Sequence, residues 1–150
     1  MPTGDIKKTA LTLLARREHS YQELFKKLLQ RKFDSVAIDT VLKSLIEVNL
    51  LSDRRFAEVF IRSRIESGYG PLRIQNELKQ KGISDDIIQE VLFEGHYNWA
   101  QLAQRVYQKK YLGKPTHCFS EKAKQMHFLQ YRGFTLEQIR SAINLDEDIS

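Results

Sequence analysis

The sequence predicts an all-α protein: three tandem three-helix repeats forming an elongated, curved, right-handed or solenoid-like array. Three observations predict it. Apolar residues recur at three- and four-residue spacing along most of the chain, with no strand-like alternation above background. The same stripes return when the chain is displaced by 50 or 51 residues. Each unit is too small to hide its own apolar face, so neighbouring units must stack.

The first repeat is placed at residues 1–50. Ile6, Ala10, Leu11 and Leu14 form its first stripe, which Arg16-Arg17-Glu18-His19 closes. Ser20-Tyr21-Gln22-Glu23 has capping-box spacing, in which the serine oxygen and the glutamate satisfy free amides of the helix start. Leu24, Leu28 and Leu29 carry the second helix. Asp34 caps a third, with Ile38, Val41, Leu42 and Leu45 as its buried face.

The second repeat is placed at 51–98. Phe56, Ala57, Phe60, Ile61 and Ile65 make its first stripe. Gly68-Tyr69-Gly70-Pro71 then breaks the helix, and Pro71 has the fixed φ that suits the first position of the next one. Ile74 and Leu78 answer to Leu24 and Leu28, Ile83 to Phe33, and Ser84 to Asp34; Gly82 is a C-cap. The third repeat, 99–150, has Trp99, Leu102, Ala103, Val106 and Tyr107 as its first stripe, a longer connection over 112–119, and Ser120 opening the next helix. Leu129, Gly133, Phe134 and Thr135 stand for Leu78, Gly82, Ile83 and Ser84, followed by Ile139, Ala142 and Ile143 and an acidic tail.

Composition narrows the class. An apolar fraction of 41% and a charged fraction of 29% describe a soluble, rather polar protein. No apolar run approaches the roughly 18 residues of a membrane span, and MPTGDIKKTA lacks the apolar core of a secretory signal. Cys118 is alone and forms no internal disulfide, which fits a reducing cytoplasm. The net charge of +5 favours anionic partners. It is unevenly spread: +3 over 1–50, −1 over 51–98 and +3 over 99–150, where the window from Arg105 to Arg132 holds seven basic residues and the single acid Glu121.

Leu51-Ser52-Asp53-Arg54-Arg55-Phe56-Ala57, Gly68-Tyr69-Gly70-Pro71 with Arg73-Ile74 and Glu77-Leu78, and Lys81-Gly82-Ile83 resemble the RecX family of bacterial recombination regulators. Phe119-Ser120-Glu121-Lys122 and Tyr131-Arg132-Gly133-Phe134 are similar to the family pattern too, while the first repeat matches more loosely. The resemblance runs from about Ile6 to Ile143. It implies a non-enzymatic, cofactor-free, cytoplasmic monomer that binds RecA filaments on DNA along the helical groove and inhibits strand exchange and the filament's ATPase. It also implies binding to single- and double-stranded DNA, and it brings no catalytic motif.

The candidate DNA- or RecA-binding residues are Arg64, Arg73, Arg105, Lys109, Lys110, Lys122, Lys124 and Arg132. Lysine and arginine contact phosphates, and exposed aromatics can stack on unpaired bases. The third repeat interleaves Arg105, Lys109, Lys110, Lys114, Lys122, Lys124 and Arg132 with Tyr107, Tyr111, Phe119, Phe128 and Tyr131. Tyr107 and Phe128 fall near stripe positions and read as core; the basic group reads equally as a contact surface or as a solvated exterior. Arg64 and Arg73 flank the Gly-Tyr-Gly turn and lean toward a partner, whereas Glu58, Arg62 and Glu66 can pair along one face. Gly68-Tyr69-Gly70 lacks the strand and the Lys-Ser or Lys-Thr of a P-loop and reads as a tight turn. His117, Cys118 and His127 lack the paired spacing of a zinc site. Two other readings stay open: a helix-turn-helix transcription regulator, although no recognition helix stands out, and a helical-repeat scaffold for an acidic protein partner.

Overall fold

The computed structural model describes residues 3–112 and 118–144. Among them there are helices and no strands, as the fold class requires. The first repeat supplies α1 (Thr3–Arg16), α2 (Tyr21–Gln30) and α3 (Ser35–Glu47). The second supplies α4 (Asp53–Glu66), α5 (Pro71–Gln80) and α6 (Asp85–Ile88), which runs into a π-helical turn at Gln89–Phe93. The third supplies α7 (Trp99–Tyr111), α8 (Phe119–Tyr131) and α9 (Leu136–Asn144). No helix among the described residues is long and apolar enough to cross a membrane.

The local signals account for most helix ends. Ser20 caps α2 in a complete capping box: its Oγ accepts from the Glu23 N–H at 3.1 Å, and the Ser20 N–H donates to Glu23 Oε1 at 3.4 Å. Asp34 accepts from the Ala37 N–H, Ser84 from Ile87, and Thr135 from Gln138. Pro71 opens α5. Two expectations are corrected. Helix α8 begins at Phe119, not after Ser120, because the Cys118 carbonyl already accepts the Lys122 N–H at 2.9 Å. Leu29 is 46% exposed; at the last turn of α2 it stands off the face on which Leu24 and Leu28 are buried. Leu13, unmarked in the sequence stripe, is buried in α1 instead.

The chain divides into two compact units, Met1–Phe60 with Leu78–Val91 and Ile61–Glu77 with Leu92–Ser150. The repeat expected at 51–98 is therefore shared out: α4 leaves the first unit after Phe60, and α5 re-enters it at Leu78. The first unit has a core of Ile6, Ala10, Leu24, Leu28, Ile38 and Leu42 with Leu45 and Leu51. The core of the second is Leu102, Ala103, Tyr107, Leu129, Phe134 and Ile139, with Ala142 and Ile143 closing α9 onto α7. Burying such aliphatic side chains is worth about 1.5–3 kcal/mol each. Tyr107 keeps its hydroxyl satisfied inside by donating to the buried Gln125 Oε1 at 3.1 Å.

In the first unit, the turn before α2 docks on the turn after α5. Buried Ser20 uses its hydroxyl twice, accepting at the capping box and donating to the Lys81 carbonyl at 2.8 Å. The Tyr21 N–H donates to Asp53 Oδ1 at 2.7 Å. Two carboxylates pair with the three cations around it: Glu23 takes Arg17 at 3.0 Å and Lys81 at 3.4 Å, and Glu18 takes Arg55. His19 is buried, with Nδ1 3.0 Å from the Arg17 carbonyl and Nε2 2.9 Å from Lys27 Nζ. A carbonyl can only accept, so Nδ1 carries the proton and Nε2 accepts from the lysine. Burial lowers the His19 pKa, reinforced by the nearby cations.

Candidate nucleic-acid interface

The second unit repeats that docking one copy further on. The turn between α4 and α5 meets the turn between α8 and α9 through a pair of backbone hydrogen bonds: the Gly70 N–H donates to the Arg132 carbonyl at 2.8 Å, and the Leu72 N–H to the Gly133 carbonyl at 2.9 Å. Two glycines make the approach possible. A Cβ on Gly70 would lie 2.6 Å from Gly133 O, and one on Gly133 would lie 2.6 Å from the Arg73 nitrogen. Gly133 also has φ +100°, a left-handed conformation that side chains disfavour.

The docked turns fix Tyr69 at the centre of three guanidinium groups. Arg73 lies 4.2 Å from its ring centroid, Arg64 4.7 Å and Arg132 5.0 Å, all within cation–π range. Glu77 holds two of them. Arg64 Nε donates to Glu77 Oε1 at 3.3 Å and its Nη2 reaches Oε2, while Arg73 Nε stands 3.7 Å from Oε1. The Glu77 hydrogen bonds raise the Arg64 pKa above its already high value. Arg132 is steered by neutral groups, donating from Nη1 to the Ser67 carbonyl at 2.8 Å and lying 5.4 Å from the Phe128 ring. One carboxylate thus serves two arginines, and the third adds uncancelled charge.

Beside the Tyr69 cluster is a cleft of about 610 Å3. Among the described residues its apolar wall is Ile65, Leu102, Val106 and Phe128, and its cations are Arg105, Lys109, Lys110 and Arg132, against the one lining carboxylate of Glu66. The α7 register explains the grouping, because positions 102, 105, 106 and 109 recur at three- and four-residue steps on one face. Lys110 completes the rim, 5.5 Å from the Phe128 ring. Polar phosphates or carboxylates with an apolar neighbour suit such a wall-and-rim site.

The structure therefore brings six of the eight sequence candidates together. Arg64, Arg73 and Arg132 surround Tyr69, and Arg105, Lys109, Lys110 and Arg132 line the cleft. Lys122 and Lys124, on α8, line neither, although Lys124 stands one turn before Phe128. Lys114 and His117 lie outside the described residues. Tyr107 is buried and Phe128 half-buried, as their stripe positions require; Phe119 and Tyr131 are exposed. Glu58 pairs with Arg54 at 3.4 Å, in place of the expected ladder with Arg62. In the sequence Tyr69 reads as a turn residue only. The 50-residue displacement that aligns Gly70 with Ser20 was the available signal that this turn docks on something.

Helical triplets joined turn-on-turn place the molecule in a class, proteins of tandem three-helix domains. The particular family is then read from the chain itself: residues 7–45, 52–92 and 100–143 match the first, second and third three-helix domains of RecX, and the chain belongs to the RecX family. The regulatory protein RecX of Halorhodospira halophila is 44% identical over 144 residues, covering 95% of this chain and 89% of its own. That of Legionella pneumophila is 44% identical over 131 residues, 87% of each chain. A crystal structure of RecX from Lactobacillus salivarius superposes with a TM-score of 0.82 over 99% of this chain and 97% of that one, at 21% identity. A second RecX crystal structure gives 0.81 over 95% and 72%, at 23% identity. At such identities the likeness establishes the fold, and the closer relatives establish a RecX regulatory role.

Proposed function

We propose that this protein inhibits RecA by binding the RecA–DNA filament, suppressing its ATPase and strand exchange, with DNA contacts of its own. It acts without catalysis or cofactor, as a cytoplasmic monomer, and its repeats, 1–50, 51–98 and 99–150, engage successive filament subunits. If the bound geometry is one that active filament disfavours, binding shifts the filament toward its inactive population. The observation that carries the DNA contact is the cationic cleft of the second unit, where Arg105, Lys109, Lys110 and Arg132 face one acid among the described residues. Its partner is polyanionic, so attraction falls steeply with salt. Lys122 and Lys124 extend the charged surface beyond the cleft.

The test is RecA ATPase and strand exchange with substoichiometric protein. Both rates fall with the parent; unchanged rates overturn the assignment to RecA. The variant Lys109→Ala/Lys110→Ala should bind DNA with a salt slope lower by about two, one for each phosphate left without its lysine. An unchanged slope removes the cleft from the DNA path. A second reading has its own observation: Glu77 between Arg64 and Arg73 is the arrangement that an acidic protein surface would reproduce. Binding to RecA without DNA, undiminished by competing oligonucleotide, would favour it.

A further inference from the structure

The rings and cations of the second unit form one continuous alternation. Tyr131 lies 5.7 Å from Arg73, Arg73 4.2 Å from Tyr69, Tyr69 5.0 Å from Arg132, Arg132 5.4 Å from Phe128, and Phe128 5.5 Å from Lys110. The inner members are at least partly covered, and the ladder ends at the cleft on one side. At the other end Tyr131 is 80% exposed. A large ring held in the open costs hydration of apolar surface without adding to the core, and the Arg73 guanidinium beside it restricts where it can lie.

We infer that Tyr131 is a base-stacking residue through which this surface distinguishes single-stranded DNA from duplex. This deepens the DNA-contact part of the reading above and rests on it. The chemistry separates the two forms. Phosphates are available in both, so Arg105, Lys109, Lys110 and Arg132 attract either one. A base face is free only when the strand is unpaired, and every base offers one, so a stacking platform selects strandedness and not sequence. In the ladder, the exposed end takes the base and the cleft end, with its cations, takes the backbone. Arg73 polarises the ring between them, and Tyr69 and Arg132 link the two ends.

Three labelled probes test this by fluorescence anisotropy at one ionic strength: a single-stranded oligothymidylate, the same length with abasic sites, and a blunt-ended duplex of two strands. Tyr131→Ala should lose roughly tenfold in affinity for oligothymidylate and under about twofold for the abasic strand and the duplex. Tyr131→Trp should restore the loss, and circular dichroism should match the parent for both variants. Equal losses on all three probes, or none on oligothymidylate, overturn the role of Tyr131 while leaving the DNA-binding surface standing. If the parent binds none of the probes, the inference and the DNA-contact reading fall together, and the RecA ATPase assay reports separately on what is left.

Discussion

The turn before α2 and the turn before α5 occupy corresponding places in their repeats, and each docks on the loop following the second helix of the next repeat. In the first unit the contact is a side chain to a backbone, Ser20 to Lys81, wrapped in ion pairs that match Glu18 and Glu23 to Arg55, Arg17 and Lys81. In the second it is backbone to backbone, Gly70 to Arg132, wrapped in guanidinium–aromatic contacts with Glu77 shared by two arginines. One docking geometry therefore carries two chemistries. Where two carboxylates pair with all three cations, the junction is a structural joint. Where one carboxylate serves two arginines and rings hold the third, Arg132, in place without an acid, charge is left for an anion from outside.

The sharpest way to break the comparison is through the glycines. Gly82 and Gly133 correspond, with φ of +82° and +100°. A methyl at 82 would clash with Gln22 Oε1 and lie 2.7 Å from its Cβ, whereas at 133 it would clash with Arg73 Cβ and lie 2.6 Å from the Arg73 backbone nitrogen. Gly82→Ala should cost about 2–3 kcal/mol, the left-handed strain plus a small shift of α2, because the Gln22 amide can swing aside but its Cβ, 2.7 Å away, cannot. Gly133→Ala adds overpacking against rigid backbone, for a total of about 2–5 kcal/mol. Thermal or urea denaturation checks both. Equal costs would mean that the second junction yields as readily as the first, contrary to its backbone pairing.

That difference also marks how far the sequence could be read. Local devices were legible because neighbours a few residues apart decide them: Ser20, Asp34 and Ser84 as caps, Pro71 as a helix opener, the stripes through Ile38 and Leu102. Leu29 and Ser120 were misread because a displacement of one residue at a helix end changes the face and the start. The site was half legible. A count of charges between Arg105 and Arg132 pointed to the region of the cleft but could not separate Lys109 and Lys110, which line it, from Lys122 and Lys124, which do not. The meeting of Arg64, Arg73 and Arg132 on Tyr69 depends on the Gly70–Arg132 hydrogen bond, made across 62 positions, and no local pattern encodes it.

Acid should separate the junctions next. Buried His19 has a pKa below 6.5, so the unfolded state takes up a proton that the folded state resists. Its contribution is complete above 6.5 and is lost as pH falls below that value. For Glu23, burial opposes the charge, but hydrogen bonds from Arg17 and the Ser20 N–H and the charge of Lys81 hold its pKa at about 2, from 4.5. That stability is present above 4.5 and is lost as pH falls from there toward 2. Asp53 works in the opposite sense, since burial raises its pKa and favours the protonated folded form. Arginines do not titrate in this range. Hydrogen exchange followed from pH 7 to about 5, with intrinsic rates corrected, should show protection falling around α2 first, while the amides of Gly70 and Leu72 keep theirs. Simultaneous loss at both would tie the junctions to one cooperative event.

The smallest effect is expected at Lys32, which stands in the first repeat where Gly82 and Gly133 stand in the others and shares their left-handed backbone, with φ +68°. It is exposed, so its Cβ meets solvent where a methyl at 133 would meet Arg73. Lys32→Gly relieves about 1–2 kcal/mol of left-handed strain and returns about 0.5–1 kcal/mol in unfolded-state entropy. The net gain is about 1 kcal/mol or less, a rise of a few degrees in Tm. A gain of that size would assign glycine's presence at 82 and 133 partly to φ. No gain at all would leave the close approach of the docking turn as the reason for glycine there, and would make the strain term in the Gly133→Ala forecast correspondingly smaller than its overpacking term.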